Sequence, residues 1–240
     1  MRWNGVVLGG AILATFRATQ ICYAATLLPP TPYLSAADSP IGTAVNEFFY
    51  LEDFEDGALS TSGVIATPAG VVTAPGQFTD SVDGDSGPID GSGTSGRSLL
   101  TGGATNSFSF QFDPIVLGSL PTRAGIVWTD VGAVSEGAFG VGTVIFEAFG
   151  PANESLGTTS AVLGDGMITG GTAEDRFFGA INPGGISRIS ITMPASTDWE
   201  IDHLQYLRVP EPAAMTLALA TLVSIASASL SRSRRYAEAR

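Results

Sequence analysis

The sequence predicts an all-β domain, a jelly-roll-like β-sandwich, set between an N-terminal signal helix and a single C-terminal transmembrane helix. Three observations predict it. Short runs rich in β-branched and aromatic residues recur through the middle of the chain; in the clearest, S-F-S-F-Q-F, period-two alternation puts Phe108, Phe110 and Phe112 on one face. Clusters of Gly, Pro, Asp and Asn separate the runs. No stretch before the last segment keeps a 3.6-residue period.

Residues 1–25 read as a secretory signal: Arg2 gives the positive start, 6–16 the apolar core, and Cys22-Tyr23-Ala24-Ala25 a small-residue cleavage region. Residues 26–44 read as an extended linker, because Pro29, Pro30, Pro32 and Pro40 fall there. The sandwich is then expected over 45–208. Strands are expected at 45–54, 64–67, 71–73, 107–112, 125–129, 143–149, 176–181, 186–192 and 199–207. In the last, strict alternation sets Trp199, Ile201, His203, Gln205 and Leu207 opposite Glu200, Asp202, Leu204 and Tyr206. A long loop at 79–103 closes the sandwich, Asp113-Pro114 and Asn182-Pro183-Gly184-Gly185 read as turns, and no internal repeat is visible.

Composition narrows the function classes. All eleven basic residues are arginine. Between Thr26 and Arg208 five arginines face 21 carboxylates, a net charge of −16. Such a surface argues against nucleic acid and anionic headgroups as partners, and favours cations as ligands. The single cysteine, Cys22, lies in the signal, so the mature domain has no disulfide, thiolate metal site or cysteine nucleophile.

Residues 209–240 hold V-P-E-P, then an uncharged run at 213–230, then Arg232, Arg234 and Arg235. As a helix the run is about 27 Å long, close to bilayer thickness. Pro210 and Pro212 mark its start, and the arginines keep its far end cytoplasmic, leaving everything before Val209 outside. This order, Val209-Pro210-Glu211-Pro212, apolar helix, arginine cluster, resembles the PEP-CTERM sorting signal of exported bacterial proteins. The resemblance implies recognition and processing by an exosortase-type membrane protease, and a cell-surface or extracellular-matrix destination. Residues 78–93, 121–130, 170–179 and 201–206 also resemble one recurring type of PEP-CTERM ectodomain. The likeness implies a location and a fold, and no activity.

Several residues are candidates for chemistry. Asp80, Asp83, Asp85 and Asp90, interleaved with glycines, repel one another unless a cation or water screens them, and calcium suits such an oxygen-rich loop. A second calcium set joins Glu55 and Asp56, beside Glu52 and Asp53 at the end of the first strand, to Asp202 on the last, by analogy with calcium-bearing jelly rolls. Trp128, Trp199 and Tyr206, with Phe177-Phe178, are candidates for stacking on sugars, against core packing. Together these give a calcium-assisted module binding exopolysaccharide as the alternative to a purely structural surface protein. Glu200 and Asp202 match the first two carboxylates of jelly-roll glucanases, but Leu204 and Gln205 stand where the acid/base is needed, so no catalytic residue is assigned. His203 is the lone histidine and has no nucleophile motif or zinc partners around it in sequence.

Overall fold

The computed structural model describes residues 24–42, 48–84, 96–135, 139–168 and 174–208. Residues 1–23 of the expected signal, the expected sorting segment 209–240, Asp85 and Asp90 lie outside the described residues.

In chain order the strands are β1 (Thr26–Pro32), β2 (Phe48–Glu52), β3 (Val64–Thr67), β4 (Val71–Val72), β5 (Leu99–Leu100), β6 (Ser107–Phe112), β7 (Arg123–Val131), β8 (Gly142–Phe149), β9 (Ser155–Leu163), β10 (Arg176–Ile181), β11 (Arg188–Thr192) and β12 (Trp199–Arg208). They form two antiparallel sheets packed face to face. One runs β1-β10-β7-β12, with β2 and then β5-β4 sharing the far edge of β12; the other runs β3-β6-β11-β8-β9. Asp113 and Pro114 open a four-residue helix, α1 (Pro114–Leu117), in which the Asp113 carboxylate accepts the Ile115 N–H at 2.8 Å.

Period-two alternation builds the core. Phe108, Phe110 and Phe112 of β6 meet Trp128 of β7, Phe178 of β10, and Trp199, Ile201, Leu204 and Tyr206 of β12. The rings meet at angles: Phe108 stands edge-on to Trp199 at 5.4 Å, and Phe112 is tilted against Tyr206 at 5.3 Å. Each such side chain contributes about 1.5–3 kcal/mol by leaving water.

The linker expected over 26–44 is corrected for its described residues, 26–42. β1 pairs with β10 from Thr26↔Ile181 to Pro32↔Arg176, and Tyr33 and Ile41 are wholly buried. The prolines are tolerated because β1 is an edge strand. Pro29 and Pro30 fall in the register irregularity between Leu28 and Thr31, where no regular ladder hydrogen bond is required. The sandwich therefore begins at Thr26. Its first sheet is buried on both faces, since Tyr33, Ile41 and Val82 pack with Val127 and Phe177 over the face turned away from the core. Gly125 and Gly179 make room there: a Cβ on either would strike the Phe177 ring.

Candidate functional site

Two bulges between β7 and β12 shape the buried polar face. The pairs Trp199↔Val131 and Ile201↔Trp128 leave Thr129 and Asp130 facing Glu200 alone. The pairs Asp202↔Val127 and Gln205↔Gly125 leave His203 and Leu204 facing Ile126, with His203 at φ +42°. The second bulge overturns the strict alternation expected of this strand. Trp199, Ile201, Leu204 and Tyr206 all enter the core, while Glu200, Asp202, His203 and Gln205 share the outer face beneath the 79–84 segment.

Along that face lies a hydrogen-bonded polar group. Asp202 accepts from Ser81 Oγ at 3.1 Å, Val82 N at 3.0 Å and His203 N at 2.7 Å. His203 Nε2 lies 3.0 Å from Asp83 Oδ2, and its Nδ1 lies 3.1 Å from the Tyr33 hydroxyl, which also accepts from Gln205 at 2.7 Å. Burial pushes Asp202 up to about 7, against the opposing pull of His203. Burial lowers His203, but the Asp83 hydrogen bond and the Asp202 and Asp83 charges outweigh it, and the net shift is upward. Ligand atoms of Asp83, Asp202 and His203 lie within 4.8 Å of one another. Both ring nitrogens and both Asp202 oxygens are already engaged, so the trio acts as a bolt holding residues 33 and 81–83 onto β12.

One end of the same face carries a row of acids. The β10–β7 register runs from Ile181↔Arg123 to Arg176↔Trp128; two residues further it sets Glu174 beside Asp130, which the bulge sets beside Glu200. Asp130 and Glu174 are 4% exposed and Glu200 is 6% exposed; Asp80 above them is fully buried. Glu200 Oε2 accepts from Ser98 Oγ at 2.5 Å and Asp80 N at 2.9 Å. Glu174 and Asp130 hydrogen-bond to each other through a shared proton, and among the described residues the Thr129 hydroxyl finds no partner. Burial pushes Glu200 up to about 7. Burial first, then the hydrogen bond with Asp130 and the charges of Asp130, Asp165 and Asp80, push Glu174 up; burial raises Asp130 against the opposing pull of its hydrogen bond with Glu174. Asp130 and Glu200 also line a cavity of about 300 Å³ with Phe78, Leu100, Asp198 and Trp199.

The expected site residues are only partly brought together. Within the 80–90 loop, Asp80 sits by Glu200 while Asp83 is held at His203, so these two face different partners. β2 does pair with β12, the expected adjacency of first and last strands. Its carboxylates do not gather on Asp202, however. Glu52 is consumed by the N–H and hydroxyl groups of Ser60 and Thr61. Asp53 accepts from Glu55 N, and Asp56 from Ala58 N at 3.0 Å. Glu55 is exposed, accepts Arg97 N–H, and is raised by partial burial and then by the Asp83 and Asp53 charges. Sugar stacking on the named aromatics is corrected: Trp128, Trp199 and Tyr206 are at most 1% exposed, and Phe177 and Phe178 are buried, so none offers a ring face. Asp130 and Glu174 were missed. A carboxylate at each of three strand ends was the available signal; the bulge that aligns them was not readable.

Against known proteins, the chain matches no family model, no curated protein and no solved structure. Among the described residues no helix is long and apolar enough to cross a membrane.

Proposed function

We propose that this chain is an exported, non-catalytic cell-surface or extracellular-matrix protein, sorted and processed through its C-terminal segment by an exosortase-type membrane protease. The observation that carries the reading is the order Pro210-Glu211-Pro212, uncharged run, Arg232, Arg234 and Arg235. Two features support it. β12, central in its sheet, is described up to Arg208, directly before Val209-Pro210-Glu211-Pro212 in the sequence. We read the order β2-β12-β7-β10 facing β6-β11-β8-β9 as jelly-roll-like, in keeping with an exported sandwich domain. The uncharged run serves as a transient membrane anchor. Replacing Pro210, Glu211 and Pro212 with alanine in an exosortase-bearing host should leave the unprocessed protein in the membrane fraction. Unchanged processing and surface exposure would refute the reading.

The cavity favours a second reading, a calcium-assisted module for exopolysaccharide. Phe78, 63% exposed, stands at a cavity that Asp130, Asp198 and Glu200 also line, a mixed wall suited to a sugar. Phe78→Ala should then weaken retention on extracted exopolysaccharide; equal retention would leave the structural role alone.

A further inference from the structure

We propose that Ile115 and Val116, with Phe48 beside them, form a membrane-contacting surface that sets the Arg208 end of the sandwich on the lipid bilayer. The proposal rests on the reading of 213–230 as a membrane anchor. Strand pairing gathers the parts: Arg208 of β12 lies opposite Phe48 of β2, and Leu207 opposite Arg123 of β7. α1 joins them, because a Cβ on Gly118 would stand 3.3 Å from Arg208 Nη1. The Arg208 guanidinium in turn lies 5.5 Å from the centre of the Phe48 ring.

Ile115 is 90% exposed, Val116 58% and Phe48 53%. Large apolar side chains grouped in water mark a contact surface. α1 holds its pair outward instead of letting it collapse. Leu117 is its buried foot, the Asp113 carboxylate caps it by accepting the Ile115 N–H, and Gly118 ends it at φ +82°.

Chain length decides what covers this tip. Five chain steps separate Arg208 from Ala213, where the uncharged run starts, and they reach at most about 18 Å. The interfacial layer of a bilayer is itself roughly 5–8 Å deep. With the run in the membrane, this end of the sandwich stands close to lipid. Charge points the same way. The turns 113–122, 150–154 and 182–187 are bonded together at this end, and their carboxylates, Asp113 and Glu154, each accept a nearby backbone N–H. Arg123, Arg188 and Arg208 stand at the ends of their strands here. Asp130, Asp165, Glu174, Asp198 and Glu200 lie at the opposite end. The sandwich thus turns an apolar, arginine-bearing end toward the bilayer and its acid row away from it. Apolar tips sink into the interface while arginines reach the phosphates.

The test uses the chain exported by a host without exosortase, which keeps residues 209–240, reconstituted in phosphatidylcholine–phosphatidylglycerol vesicles. Cys22 leaves with the signal, so Ile115→Cys and Val162→Cys each carry one thiol for an environment-sensitive fluorophore. Val162, 69% exposed near the far end of β9, is the reference. Both replaced side chains are exposed, so both variants should melt as the parent does. The probe at 115 should shift to the blue and lose its fluorescence to doxyl-labelled lipid, and the probe at 162 should do neither. If the chain resists alkaline carbonate but the two probes are equally unquenched, the anchor stands and the proposal is overturned. Extraction by carbonate refutes the anchor and the proposal together. A blue shift at 115 without quenching by lipid puts a protein surface on the tip, and overturns the proposal as well.

Discussion

His203 Nε2 and Asp83 Oδ2 lie 3.0 Å apart across 120 residues of chain. The contact pins the covering segment to the bulge in β12. Asp83 is among the groups that hold the His203 ring above its ordinary value. Asp83→Asn should therefore lower the His203 titration midpoint, followed by ring proton NMR. A raised histidine contributes stability that is full below its unfolded value near 6.5 and lost as pH rises through its folded value. The variant should lose part of that pH dependence. An unmoved midpoint would mean the contact does not persist in solution.

The buried acids give a stability trend of the same sign. Glu200 and Asp202 are both raised to about 7, so between their unfolded values near 4 and pH 7 the folded state holds more protons. Stability should fall as pH rises through that window, by on the order of 3 kcal/mol from Glu200 alone. Urea unfolding in EDTA at pH 5 and pH 8 measures it. Greater stability at pH 8 would contradict the burial of these groups.

Trp199 is a core residue with Phe108 edge-on to it. Trp199→Ala should cost about 3–5 kcal/mol of stability. Phe48→Ala, on a ring 53% exposed, should cost far less. Equal effects in denaturant titrations would place the tryptophan outside the core.

Removing residues 26–44 deletes β1 and with it Tyr33 and Ile41, uncovering Val127 and Phe177. A chain starting at residue 45 should be degraded by protease under conditions where one starting at Thr26 resists. Equal resistance would restore the linker reading.

β3, β6 and β10 lie at their expected ends: β6 because period-two alternation puts three phenylalanines on one face, β3 and β10 because short apolar runs stand between turn residues. β9 escaped because its Ser, Thr and Gly carry no such contrast, and β5 because two leucines show no period. β1 escaped because proline signals a linker in sequence yet is tolerated at a sheet edge. The acid row was illegible for a different reason. Glu200 stood out alone, but Asp130 and Glu174 reach it only through one extra residue in β7, and pairing register is set by tertiary packing.

The intact mass of the protein recovered from the surface of an exosortase-bearing host tests the central claim most directly. Export and sorting predict a product lighter than the 24.6 kDa chain, missing both the signal before Thr26 and the segment beyond Pro212. A mature protein that still carries Arg232, Arg234 and Arg235 would contradict it.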